Sequence, residues 1–358
     1  MSDDLRTPSN GLRVLVAAAS LVVVIAGLRA SGDIILPILF SVFLSIAALP
    51  MLRALQRVGV PTIVGIPLVV LLFAGLLVGI TSVLAGAVRQ FTADIDSYEE
   101  GFNLLMQQGL AWAAWAGLTD FEEVLQRGQV SQWINPGAIM GIVGQTVNAV
   151  IGLFGRVVIV IITMTFMLLE ASELEQKLRL AFGTSARPAG PFTSAGEKVT
   201  RYLLIKTLIS AFTGICAALI CRFAGLDFWV MWGLIAFLLN YIPSIGSILA
   251  AVPPMLLAMV QLGPGSSLGI GASYLVANLV FGNLLEPRLM GQSLGLSPLV
   301  VFLSLVFWGW VWGPVGMLLC VPMTVMGKLV LESNADTRWI AVFLGSPRDV
   351  RRTGVPPT

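Results

Sequence analysis

The stretch FLLNYIPSIGSILAAVPPM, Phe237 to Met255, decides how the chain is built. It lies in an uncharged run from Phe228 to Leu262, yet holds Asn240, Tyr241, three prolines and Gly246 where a buried helix would carry leucine and alanine. As one straight helix the 35 residues of that run would reach about 52 Å. That is too long for a single pass across a hydrocarbon layer of about 30 Å without extreme tilt. The run is therefore broken or folded back. NYIPSIG is the natural place, because Pro243 removes a backbone donor and clashes with the preceding turn, while Gly246 tolerates the bend.

The rest of the composition agrees. Of 358 residues 57% are hydrophobic and 11% charged, against about 25% charged in a soluble domain. An all-α, polytopic integral membrane protein follows. A net charge of +2 gives no nucleic-acid signature. Cys216, Cys221 and Cys320 all sit in apolar segments, as small core residues do. The absence of histidine removes His-based general bases, HExxH zinc sites and Ser-His proteolysis, so no catalytic residue, metal or cofactor is expected. With no GxxxxGK[ST] loop the chain does not hydrolyse ATP, and transport would be secondary or passive.

Apolar segments run from Val14 to Leu28, Ile34 to Leu52, Thr62 to Val88, Ala149 to Leu169, Leu203 to Phe223 and Leu268 to Leu285, with two longer runs, Phe228 to Leu262 and Leu299 to Leu331. Gly75 and Gly79 stand in GxxxG spacing, which permits close helix approach. The positive-inside rule orients these spans. Arg6, Arg13, Arg53 and Arg57 lie inside, as do Lys177, Arg179, Arg187, Lys198, Arg201 and Lys206 in a basic loop, while seven acidic residues between Asp94 and Glu123 lie outside. Both termini come out cytoplasmic. The divisions are 1–88, a tail and three spans; 89–146, an outer amphipathic helical insert with Trp112, Trp115 and Trp133; 147–227, two spans and the basic loop; 228–332, a transport core; and 333–358, an inner tail.

The second long run breaks as well, at WGWVWGPVGMLLCVPM. IGSILAAVP and VGMLLCVP each hold a glycine, a short apolar stretch, a valine and a proline, and Gly246 and Gly316 lie 70 positions apart. With one crossing between them the two broken elements, re-entrant if each returns to its own side, have opposite orientation, as in inverted-repeat transporters. Irregular backbone at membrane depth has to be buried in protein or line a polar cavity. The candidate substrate path is therefore Asn240, Tyr241, Ser244, Asn278 and Asn283, with Pro243, Gly246, Pro253, Gly313, Pro314, Gly316 and Pro322 shaping or hinging the breaks. Glu286 and Arg288 sit at the interface, pair, or line a vestibule; together with Asp227 they are the candidates for gating and coupling.

Residues 228–324 carry a resemblance. Asn240-x-x-Pro243, Glu286-Pro-Arg-x-Met-Gly291, Ser297-Pro298 and Trp312-Gly-Pro-x-Gly316, on a chain with an acidic insert after its third span, closely resemble the autoinducer-2 exporter family of bacterial permeases. The resemblance implies a polytopic helical bundle of about eight spans, a transporter that exports autoinducer-2 or a related small polar metabolite and forms homo-oligomers, a homopentamer among them. It also implies sodium or lithium/proton antiport in some members, so H+ or Na+ joins the solute and the lipid bilayer as expected partners. A membrane scaffold is the remaining alternative, and it would tolerate loss of Pro243 or Pro314.

Overall fold

The computed structural model describes residues 10–94, 98, 100, 101, 104, 107, 108, 157–182, 191–243, 245–290, 295–333 and 337–345. Among them every regular element is a helix, apart from one isolated bridge between Leu296 and Gly345. In order these are α1 (Asn10–Ala30), α2 (Gly32–Arg57), α3 (Thr62–Ala93), α4 (Val157–Phe182), α5 (Pro191–Ala224), α6 (Trp229–Leu239) and α7 (Gly246–Leu262). α8 (Pro264–Asn278) passes through a π-helical turn, Leu279–Leu285, into α9 (Glu286–Met290). α10 (Pro298–Ser333) and α11 (Arg338–Leu344) follow.

Among the described residues five helical stretches are long and apolar enough to cross a membrane: Gly32–Arg57, Thr62–Phe91, Val199–Ala224, Pro264–Leu289 and Pro298–Glu332. This is an all-α polytopic membrane protein. Most of the insert at 89–146, with Trp112, Trp115 and Trp133, and the start of the fourth span lie outside the described residues, as does Ser244.

The basic loop is shorter than expected. α4 runs on to Phe182 and α5 starts at Pro191, because the charged residues there alternate with strong helix formers (Leu, Glu, Gln, Lys) that carry a helix past membrane length. Lys206 is thereby placed inside α5 and is 3% exposed. Gly214 and Gly233 let α5 and α6 touch backbone to backbone: a Cβ on either would stand 2.7 Å from the other's carbonyl oxygen. Trp232 and Ile235 are fully buried beside that contact.

Both long runs fold back on themselves. At the base of the first, the Asp227 N–H donates to Gln261 Oε1 at 3.2 Å, joining the two ends of a stretch that would be about 50 Å long if straight. At its tip a Cβ on Gly246 would lie 1.8 Å from the Leu239 carbonyl oxygen. In the second run, Trp312 (φ −128, ψ 15) and Gly313 (φ 63, ψ −145) leave helical space. Gly313 takes the left-handed φ that only glycine adopts freely. A Cβ on Gly316 would lie 2.0 Å from the Trp308 carbonyl oxygen, an atom about 12 Å away in an unbroken helix. Ser304 Oγ donates to the Cys320 carbonyl at 3.0 Å, Trp308 Nε1 donates to Thr324 Oγ1 at 3.3 Å, and Lys328 Nζ closes the base on the Gly295 carbonyl at 2.8 Å. Segments 298–311 and 314–333 therefore form a hairpin, as do α6 and α7. The bases of the two hairpins sit at opposite ends of α8–α9. Leu305, Leu319, Cys320 and Val325 of the second hairpin pack with Ile242 of the first tip and with Val199, Tyr202 and Leu203 of α5.

Alanine at Gly246 or Gly316 is expected to cost about 3 kcal/mol or more and to abolish a monodisperse, heat-resistant fraction in detergent, because the obstructing atom is backbone. Gly75→Ala and Gly79→Ala, where a Cβ meets nothing within 4 Å, are expected to change thermal stability by no more than about 1 kcal/mol.

Candidate functional site

Both hairpin tips are irregular backbone, and each is held by side-chain hydrogen bonds. At the first tip Asn240 is buried and its Nδ2 donates to Ser210 Oγ at 3.0 Å, while the Tyr241 hydroxyl donates to Thr207 Oγ1 at 2.7 Å. Pro243 is half-buried, Gly246 is closed against Leu239, and Pro253 is buried within α7. At the second tip the Trp312 indole N–H donates to the Leu28 carbonyl at 2.9 Å, and its ring stacks on Trp308 at 4.9 Å. Gly32 lies against the same ring, and Arg29 sits over Trp310 at 5.2 Å from the ring centre. Pro314 is exposed, Gly313 half-buried, and Gly316 and Pro322 are buried.

One face of α5 ties these features together. Lys206, Ser210, Thr213 and Ala217 recur at helical spacing, with Thr207 beside them. Lys206 Nζ meets Glu286 Oε1 at 2.6 Å, with 4% and 21% of the two side chains exposed. Thr207 and Ser210 hold the first tip. Thr213 and Ala217 line a small cavity of about 10 Å³ with Ala236, Ser247, Tyr274 and Asn278, room for about one water. Sequence reasoning placed Lys206 in the basic loop and missed this face. The signal was present in KTLISAFT, where polar residues at i, i+1, i+4 and i+7 interrupt an otherwise apolar helix.

The remaining expected residues disperse. Asn278 reaches the cavity and its Oδ1 would stand 2.7 Å from a Cβ on Gly282, while Asn283 is exposed on the π-helical turn. Arg288 is exposed on α9 and Glu286 pairs with Lys206 instead. Asp227 lies apart, at the base of the first hairpin, where the Tyr98 hydroxyl donates to its Oδ2 at 3.1 Å. Burial and then the Asp227 carboxylate push the Tyr98 phenol well above its ordinary pKa. Among the described residues no group of three or more His, Cys, Asp or Glu side chains could hold a metal. What the arrangement offers is hydrogen-bonding side chains at an irregular backbone turn, with a part-buried ion pair on the same face of α5.

Comparison with known proteins agrees with a transporter. The AI-2E family transporter profile matches residues 18–335. The chain is 35% identical over 342 residues to the AI-2 transport protein TqsA of Escherichia coli, covering 94% of this chain and 96% of that protein. It is 34% identical over 344 residues to YhhT of the same organism, covering 96% and 97%, and 32% identical over 343 residues to a protein of Haemophilus influenzae, covering 95% and 98%. Both of these are known as candidate transport proteins without a substrate. The family so matched is one of transporters.

The ion pair makes a sharp energetic prediction. Glu286→Leu alone is expected to destabilise the protein by about 3–5 kcal/mol, because it strands a buried ammonium, whereas the Lys206→Met/Glu286→Leu double variant is expected to match or exceed the wild type. Unfolding in mixed micelles, with the wild type and both variants compared, measures both.

Proposed function

Because the chain belongs to the AI-2E transporter family and is a multi-pass inner-membrane transport protein, we propose that it exports a small polar metabolite by secondary transport, autoinducer-2 or a related signal fitting best. The observation that carries this reading is the pair of hairpins entering from opposite ends of α8–α9, with an irregular tip in each. The naming of the similar TqsA as an AI-2 transport protein supports the choice of solute.

In this reading the solute passes beside the first tip. The Asn240–Ser210 and Tyr241–Thr207 bonds are neutral, each worth about 1 kcal/mol net, so a polyhydroxylated solute can replace them at little cost and release the tip from α5. Asn278 offers a further amide from the cavity wall. Pro243, Gly246, Gly313, Pro314 and Gly316 shape the two tips, and Pro253 and Pro322 the helices that leave them. The termini are cytoplasmic, both hairpins are re-entrant, and the chain assembles as a homo-oligomer, the uncovered Gly75 and Gly79 on α3 being available for helix contact. A second reading, cation/proton antiport through Glu286, is favoured by the buried Lys206 on its carboxylate.

The reading is tested by single cysteines from Phe237 to Ser247 and from Val311 to Leu318, in a background lacking Cys216, Cys221 and Cys320. Membrane-impermeant thiol reagents applied from each side are expected to label positions near Asn240 and Gly316, with a sidedness that shifts when the solute is added. Uniform protection with and without solute would mean packed kinks and would favour a scaffold.

A further inference from the structure

The short helix α11 has two unlike faces. It packs on α10, with Ala341 only 1% exposed. On the opposite side, one turn apart, Trp339 and Phe343 are 62% and 77% exposed and meet edge to face with 6.2 Å between ring centres. Both ends of α11 are fixed at the base of the second hairpin, where α10 begins and ends. The Thr337 hydroxyl donates to the Leu331 carbonyl at 2.9 Å, the Ser297 N–H donates to the Leu344 carbonyl at 3.2 Å, and Gly345 forms the isolated antiparallel bridge with Leu296. The helix is thus a strap across the two arms. Its depth is set by the ends of the membrane-crossing stretch Pro298–Glu332. That depth is the boundary between lipid and water, where tryptophan rings and amphipathic helices settle.

The charge around the strap selects what covers the two rings. From Ser333 to Thr358 the sequence carries Arg338, Arg348, Arg351 and Arg352 against Asp336 and Asp349. A second copy of the chain would bring the same positive segment to the aromatic face, and water would leave both rings uncovered. An anionic headgroup layer matches the rings and the charge together. We propose that α11 is an interfacial strap whose Trp339–Phe343 face is seated in an anionic phospholipid surface, and that this seat holds the base of the second hairpin shut through Leu344 and Gly345. Only the assignment to the inner leaflet rests on the orientation given under the transport reading above. The second hairpin is then anchored at both ends, by the bond from Trp312 to Leu28 at its tip and by the lipid-seated strap at its base.

The test uses the full chain in liposomes of phosphatidylcholine, with and without phosphatidylglycerol in both leaflets, so it does not depend on orientation. A nitroxide is attached at Trp339→Cys or at Phe343→Cys, each keeping the other ring, in a background lacking Cys216, Cys221 and Cys320. With phosphatidylglycerol present, both nitroxides are expected to be reached by dissolved oxygen and shielded from a neutral, water-soluble nickel chelate, and the shielding is expected to fall in phosphatidylcholine alone. Closure of the base is read by deuterium exchange of the peptide that holds the Ser297 amide. Exchange there is expected to be at least about tenfold faster in Trp339→Ser/Phe343→Ser, and faster in the wild type without phosphatidylglycerol. Unchanged exchange across α6 separates a released strap from an unfolded chain, and the nitroxide measurement decides the matter if the double variant fails to fold. Nitroxides open to the chelate in both lipids, shielding indifferent to phosphatidylglycerol, or Ser297 exchange unchanged in the folded double variant overturns the proposal. Spin–spin broadening that vanishes on dilution with unlabelled protein overturns it too, because a second copy then covers the rings. Solute flux is read separately in the same liposomes. Flux with an unseated strap removes the strap and leaves the transport reading standing; a seated strap without flux does the reverse.

Discussion

A polar backbone group left unpaired in hydrocarbon costs several kcal/mol, and the architecture follows from that constraint. Two long apolar runs fold back at Asn240–Ile245 and at Trp312–Gly313, and each fold frees N–H and C=O groups from their helical partners. Such backbone survives only if protein wraps it. The first tip is wrapped by α5 and by residues of the second hairpin around Tyr202 and Ile242; the second by the α1–α2 junction at Leu28 and Gly32. The outer helices are thus a sheath for two hairpins, and glycine is required where a tip closes directly onto a carbonyl oxygen.

The same constraint governs charge. α5 runs through the sheath carrying an ammonium at Lys206, and an isolated charge there would be untenable. Its partner comes from the far end of α8, where the π-helical turn shifts the register before Glu286 begins α9. A π-bulge adds a residue to a turn and changes which face the following side chains present. The helix that separates the two hairpins in sequence therefore also supplies the carboxylate that pairs with α5.

Much of the fold could be read before any coordinates. Length, apolarity and the prolines of NYIPSIG and WGPVG require two broken runs, because helix rise against bilayer thickness leaves no other geometry. Where α4 ends and α5 begins could not be read so well. The positive-inside rule reports on the side of the membrane and not on secondary structure, so a basic helical extension looks like a loop. The site was legible only in part. Asn240 and Tyr241 were marked by their oddity in an apolar run, but their partners Ser210 and Thr207 are small hydroxyl residues of a kind common in membrane helices. The partner of Glu286 lies 80 positions away in sequence, and a pairing of that range is set by packing alone. Asn283 was grouped with Asn278 on proximity in sequence, and the π-helical turn puts it on the exposed surface instead.

The two hairpins share a plan and differ in how they are held. Both have a glycine closed onto a carbonyl at the tip and a hydrogen bond across the base, with corresponding positions about 70 residues apart. The first tip is held by neutral bonds between side chains, each with a donor and acceptor that a polar solute can supply in exchange. The second is held by an indole bonded to main chain, a Trp308–Trp312 stack and an Arg29–Trp310 contact. Aromatic burial has no counterpart in a small polar molecule and is not exchanged by one. In the transport cycle proposed above the division of labour is therefore asymmetric, with the first tip exchanging its contacts for the solute while the second stays seated against α1 and α2.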